Sequence, residues 1–234
     1  MKFAKLESPS LKNLFVEQLE DMILSGKTAV GEKLPSEREL AEVMHVSRAV
    51  VNGGITELER KGFLEVKPRV GAFVADYRRN GNTETLLSIM NYNGGHLRDD
   101  EIRSILEVRI ALDTLAAQLL IPKITGEEIV FFGELTEQMR DAQSDVACIE
   151  AAFTFQRELA ILSGNTLIPL IFTSFKVPVF AMWERFCALY GRKALYENHY
   201  GLWETLRDRD FPAAVEWIKE SIGASIDGAR PIYY

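Results

Sequence analysis

Ser47-Arg-Ala-Val-Val-Asn-Gly-Gly-Ile-Thr-Glu-Leu-Glu59 combines features that do not usually go together. Ser47 is placed to cap a helix, because its side-chain oxygen can accept from an N–H of the first turn. Val50, Val51, Ile55 and Leu58 recur at helical spacing and make an apolar stripe. Gly53 and Gly54 fall where that helix should be strongest, and each interior glycine costs roughly 1 kcal/mol relative to alanine. A single arginine, Arg48, stands at the start. Lys61-Gly62 supplies the stop.

Working outward, Leu11 to Ser25 reads as a helix with Leu11, Leu14, Phe15, Leu19, Met22 and Ile23 on one side. Ser36 and Glu39 form a capping box ahead of a short helix, Glu37 to Met44, with Leu40, Ala41 and Met44 facing inward. His45-Val46 turns the chain into the Ser47 helix. After Gly62, Phe63–Val66 and Ala72–Ala75 are strand-like runs joined by the basic turn Lys67-Pro-Arg-Val-Gly71. Three helices followed by a two-stranded hairpin predict a winged helix-turn-helix over residues 1–75. A generic small α+β module is the alternative that composition alone leaves open.

Asp76–Asn82 is polar and aperiodic, so 76–98 reads as a linker with a first linking helix, Thr83–Asn91. The remainder, 99–234, is helical in pattern: Asp99–Leu120, Thr125–Gln143 with a second capping box (Thr125, Glu128), Val146–Leu162, Thr166–Leu189, Lys193–Arg207 and Phe211–Asp227. Pro178 should kink or divide the helix that contains it. The fold class predicted is therefore mainly α: an N-terminal winged helix-turn-helix (three helices plus a β-hairpin wing) and a C-terminal all-α antiparallel helical bundle. Bundles hold ligands between facing helices.

Bulk composition sets the limits. The chain has 234 residues, 47% hydrophobic and 26% charged, an ordinary globular balance. No run of about 18 apolar residues predicts a membrane span, and the opening Met1–Pro9 has no apolar signal core. Two cysteines, Cys148 and Cys187, fit a reducing interior and a cytoplasmic location. The net charge of −7 argues against a nucleic-acid partner only until it is divided. Residues 1–75 hold 11 Lys/Arg and 11 Asp/Glu, so all the excess acid lies beyond them. A neutral domain can still present a basic face.

Four stretches then resemble one family. Leu34-Pro-Ser-Glu-Arg-Glu-Leu-Ala41, Val46-Ser-Arg48, Leu58-Glu-Arg-Lys-Gly-Phe-Leu64 and Val70-Gly-Ala-Phe-Val74 are similar to the DNA-binding domain of the GntR regulators. Glu107–Leu112 and Phe155–Asn165 resemble that family's FadR subfamily. The resemblance implies a homodimeric transcription factor, a repressor, that binds a palindromic double-stranded DNA operator. Its helical domain would bind a small effector, which biases the arrangement of the two heads through residues 76–98.

Arg38 and Arg48 match family positions that contact the operator. A guanidinium there can reach a phosphate or lie bidentate on guanine. Ser47, with the backbone N–H groups of the first turn at Ala49 and Val50, can donate to phosphate. Lys67 and Arg69 stand in the wing turn, and Gly71 permits close backbone approach; a solvated charged turn is the competing reading. Where the family usually has arginine, glutamate and a small residue, this chain has Asn52, Gly53 and Gly54. Asn52 can read adenine through its amide. The glycines either permit close approach, to DNA or to a neighbouring helix, or are a tolerated weakness.

Many members of the subfamily bind a metal through one aspartate and three histidines. Those positions fall at Ala152, Gln156, His199 and Ser221, so one ligand of four remains and no metal or other cofactor is expected. Two effector readings follow. A small carboxylate or sugar acid would be held by Arg109, one turn before Asp113, with Gln156, His199 and Ser221 as hydrogen-bond partners. A fatty acyl-CoA, as in the metal-free founding member, would run along Phe172, Phe175, Val179, Phe180, Met182 and Trp183, with Arg185 and Tyr190 nearby. The first set is equally readable as an Arg109–Asp113 ion pair, and the second as plain core packing. The sequence carries no phosphate-binding loop, Cys-x-x-Cys, His-Glu-x-x-His or nucleophile-elbow pattern, and its three histidines are scattered. An enzyme is not expected; a constitutive DNA binder with a degenerate sensor domain is the remaining alternative.

Overall fold

The computed structural model describes residues 9–95 and 97–233, so the opening segment and His96 lie outside the described residues. The chain divides into two compact units, the first ending at Ile89 and the second starting at Met90.

In the first unit, α1 (Leu11–Leu24) is capped by Ser10, whose hydroxyl accepts from Asn13 N–H. It buries Phe15, Val16, Leu19, Ile23 and Leu24. The expected stripe is rotated toward Val16 and Leu24, since Leu11 and Leu14 are exposed. The capping box of Ser36 and Glu39 opens α2 (Glu37–Val43). Ser47 opens α3 (Arg48–Arg60), accepting from Val50 N–H. That helix ends in a Schellman motif: Phe63 N–H reaches the Leu58 carbonyl and Gly62 N–H reaches that of Glu59. Gly62 takes φ +76°, a conformation that a side chain resists.

α3 packs on α1, and that contact explains one of the two glycines. A Cβ on Gly54 would lie 2.2 Å from a ring carbon of Phe15, itself 1% exposed. A Cβ on Gly53 would meet only the aliphatic stem of Lys12, at 3.5 Å. Gly54 is therefore the close-approach position between two helices, and Gly53 is not.

β1 (Leu64–Lys67) pairs antiparallel with β2 (Gly71–Val74), Lys67 opposite Gly71. The segment before α2 adds a third, irregular partner: Gly31 and Leu34 donate to the Val74 and Ala72 carbonyls, and Val74 donates to that of Glu32. The expected linker is partly structured. Asp76 caps a single turn, α4 (Tyr77–Asn80). α5 (Thr83–Asn91) is tied to α3 by Asn82 Nδ2 donating to the Arg60 carbonyl, Thr85 Oγ1 donating to that of Lys61, and an Arg60–Glu84 ion pair. Residues 76–89 thus belong to the first unit.

In the second unit, a 3₁₀ turn, Tyr92–Gly95, follows the end of α5, and in it Asn93 and Gly94 are left-handed. The unit continues with α6 (Asp99–Leu120), α7 (Gly126–Asp141), α8 (Asp145–Leu162), α9 (Ile168–Ser174), α10 (Lys176–Arg207) and α11 (Phe211–Gly223). α7, α8 and α10 pack on one another, and α6 lies against α8 and α11. Tryptophans lock the bundle. The Trp203 indole rests over Gly133 and donates to the Ile129 carbonyl; Trp217 rests over Gly201 and donates to that of Asn198. The expected helix Thr166–Leu189 is divided at Phe175, three residues before Pro178, which occupies the first turn of α10 where its missing N–H costs nothing. α10 itself breaks at Gly191 (φ 78°, ψ 160°), between the two helices expected there.

Candidate functional site

Two places concentrate polar groups that the fold does not use for itself. The first is the start of α3. Capping by Ser47 fixes the first turn, which brings Arg48 to its outer face, exposed. Among the described residues Arg48 has neither a hydrogen bond nor an ion pair. Ala49 is exposed beside it, whereas Val50 is half-buried. Asn52 lies one turn further along the same face, exposed, with Nδ2 donating to Glu37 Oε1 at 3.3 Å. Arg38 on α2 is exposed and held loosely by Glu42 at 3.8 Å, a contact of little energetic weight.

The wing is more engaged. Lys67 Nζ lies 3.6 Å from Glu65 and over the Phe73 ring. Arg69 sits at φ +64° in the turn, exposed. The space beside Gly71 is taken by Lys33, whose Cε would stand 2.9 Å from an added Cβ. The expected use of Gly71 for close backbone approach thus has an intramolecular counterpart.

The second place is a cavity of about 40 Å³ inside the helical unit. Its polar lining is Arg109 and Asp113 from α6, Gln156 from α8, Asn198 and His199 from α10, and Ser221 and Ser225 from the C-terminal part. Trp183, Met182 and Phe186 form much of its apolar wall. Both faces of the Gly191 break contribute, since Trp183 precedes it and His199 follows it. Helical spacing explains the grouping: Arg109 and Asp113 are four apart, as are Leu195 and His199.

Arg109 and Asp113 are nearly sealed from solvent, and their closest approach is 3.4 Å, the long end of a hydrogen bond. Arg109 also lies over the Trp183 ring, 5.2 Å from its centroid. Burial pushes the Asp113 carboxyl up, and Arg109 only partly opposes this. His199 Nδ1 is 2.9 Å from the Leu195 carbonyl. A carbonyl only accepts, so Nδ1 carries the proton and Nε2 presents a lone pair. Nε2, Gln156 Oε1 and Arg109 Nε are buried without a hydrogen-bond partner among the described residues. Burial lowers the His199 pKa to about 4 from 6.5. Below pH 6.5 the unfolded chain takes up a proton that the folded chain refuses. Stability is therefore lost as pH falls from about 6.5 toward 4, by at most about 3 kcal/mol. A melting-temperature series over that range should fall less steeply for His199→Gln than for the parent chain.

Of the residues expected to hold an effector, Arg109, Asp113, Gln156, Trp183, His199 and Ser221 line this cavity. Arg185 does not. Its guanidinium donates to the Tyr233 carbonyl, because the C-terminal segment folds back beside α10. Of the expected tunnel residues, Phe172, Phe175 and Val179 are buried, with Phe172 and Phe180 against the Phe153 ring, so this part of the stripe is core packing, while Met182 and Trp183 line the cavity. Sequence reasoning missed Asn198 and Ser225. Asn198 is signalled only by its place beside His199, and Ser225 lies past the last helix, where periodicity gives no signal. At the positions of the family's metal ligands, an alanine methyl, an amide and a hydroxyl accompany one imidazole. That donor set does not fit a divalent ion. Among the described residues no group of three or more His, Cys, Asp or Glu is gathered as ligands would be.

A capped helix-turn-helix with a wing, joined in one chain to a helical domain enclosing polar groups, defines a DNA-binding regulator with a sensor domain. Residues 13–74 match the bacterial regulatory proteins of the gntR family, and residues 104–224 match the FCD domain. YcbG, an HTH-type transcriptional regulator of Bacillus subtilis (strain 168), is 24% identical over 210 residues, 90% of this chain and 86% of its own. The Glc operon transcriptional activator of Escherichia coli (strain K12) is 28% identical over 173 residues, 72% of this chain and 66% of its own. Lar, which controls the expression of the Listeria monocytogenes agr system, shares the fold with a TM-score of 0.63, 16% identity and coverage of 96% of this chain and 98% of its own. The chain belongs to the GntR family of transcriptional regulators and carries an FCD effector domain; it is not an enzyme. No helix among the described residues is long and apolar enough to cross a membrane.

Proposed function

We propose that this regulator is a homodimeric repressor of the FadR type, which binds a two-fold symmetric operator through α3 and the wing and changes its affinity when a small organic acid fills the FCD cavity. The observation that carries the reading is the start of α3, where Ser47 holds an exposed arginine with no partner among the described residues. Nothing in the fold requires a guanidinium there, whereas a guanine edge or a phosphate does. Arg38, Ser47, Ala49 and Asn52 share the work, with Asn52 leaving Glu37 when it meets a base. Lys67 and Arg69 add phosphate contacts from the wing.

The dimer reading draws on α6, where Val108, Leu115 and Leu119 lie exposed at helical spacing. The effector reading draws on the cavity. Its volume of about 40 Å³, well under the ~150 Å³ that admits benzene, favours a small carboxylate on Arg109 with some give in the lining and has no room for a fatty acyl-CoA. Both cysteines are buried and unpaired, in keeping with the cytoplasm. The test is selection of bound duplexes from a random pool with the full chain. The enriched sequence should have two-fold symmetry, with half-sites about one helical turn or a multiple apart. Enrichment of no sequence, or of a single asymmetric half-site, overturns the proposal.

A further inference from the structure

We infer that the FCD cavity is built for a small α-amino acid bound as its zwitterion, with the carboxylate on Arg109 and the ammonium group among Asp113, Gln156 and His199. This rests on the small-acid reading above and narrows it. Arg109 offers the cavity a donor, the buried and unpartnered Nε. Asp113 and His199 offer acceptors, and the Gln156 amide offers its oxygen beside an N–H2 that can donate. Gln156 Oε1 is buried without a donor. His199 Nε2 is likewise unmet, and it accepts because Nδ1 is committed to the Leu195 carbonyl. Asp113 lines the same cavity as a carboxylate whose contact with Arg109 is long, at 3.4 Å.

A carboxylate ligand satisfies the guanidinium and leaves the acceptors facing an anion. A hydroxyl beside that carboxylate brings one proton for three acceptors. An ammonium group brings three, on a tetrahedral nitrogen two bonds from the carboxylate carbon. Charge gives the same answer. Arg109 and Asp113 are buried as a neutral pair, and a lone anion entering beside them would bury net charge, which is expensive. A zwitterion is neutral overall and opens the loose pair into two charge-assisted contacts, its carboxylate on the guanidinium and its ammonium on the carboxylate. At about 40 Å³ the cavity is smaller than any amino acid, so its lining must give as the ligand enters, which favours a side chain no larger than that of alanine.

Three ligands separate the possibilities, since L-alanine, L-lactate and propionate differ only in carrying an ammonium, a hydroxyl or a hydrogen beside the carboxylate. Isothermal titration of the full chain at pH 7.5 should show L-alanine binding at least tenfold more tightly than either of the others. Lactate or propionate binding as tightly as alanine, or more tightly, overturns the amino-acid assignment while leaving the small-acid reading intact. Binding of palmitoyl-CoA with none of the three overturns both, as does the absence of binding by any of them.

Discussion

Replacing Arg48 by alanine is expected to weaken operator binding at least tenfold while leaving the folded chain as stable as before. The side chain is exposed and has no partner among the described residues, so its removal leaves no buried group unsatisfied and creates no cavity. What is lost is intermolecular. A bidentate guanidinium–guanine contact is worth about 1–3 kcal/mol of discrimination against the wrong base, and a two-fold symmetric complex loses it at both half-sites. If Arg48 instead meets only phosphate, affinity falls evenly across sequences, and the slope of log K against log salt flattens by about one per contact. Fluorescence anisotropy on matched and mismatched duplexes distinguishes these two modes. Unchanged affinity for every duplex refutes the role of Arg48.

The second large effect concerns the adjacent glycines, where two single-methyl changes should act with opposite sign. Gly54→Ala places a Cβ 2.2 Å from the Phe15 ring in a packed interface. α1 and α3 must move apart, at a cost of about 1–3 kcal/mol that exceeds the gain in helix propensity of roughly 1 kcal/mol. Gly53→Ala meets an ordinary contact of 3.5 Å with a flexible lysine stem, so the propensity gain of about 0.5–1 kcal/mol should appear nearly whole. Urea denaturation monitored by the helical signal measures both. Equal effects of the two substitutions would show that the α1–α3 contact does not set the requirement. Weaker DNA binding by a stabilised Gly53→Ala chain would assign Gly53 to the groove.

These glycines also show what the sequence could and could not reveal. Ser36, Ser47 and Thr125 were legible as caps because a cap is a local bargain between a hydroxyl and an N–H three residues away. The hairpin was legible for the same reason. The need for Gly54 was not, because the partner that imposes it, Phe15, is 39 residues earlier in the chain. α4 was hidden in a polar stretch with no apolar period, held by the Asp76 cap and not by burial. The rotation of α1 toward Val16 and Leu24 depended on which neighbour it met. Pro178 marked a division correctly but not its place, since proline sits comfortably in a first turn and the break falls at Phe175.

The cavity was legible mainly through family resemblance. Helical spacing alone leaves Arg109 and Asp113 as an ordinary i, i+4 pair on any face. Only the fold shows that this pair, Gln156 and His199 face one space. Arg185 had the right chemistry and position along α10, yet the folded-back C-terminal segment claims it.

The central claim is that the α3 head reads a specific duplex and that occupation of the FCD cavity changes how tightly it does so. The measurement that tests this most directly is equilibrium titration of the selected duplex with the full chain at fixed salt, with and without a saturating small acid shown by calorimetry to bind. The account predicts at least a tenfold difference in Kd, equivalent to about 1.4 kcal/mol of differential affinity. Equal dissociation constants for the two states would contradict it.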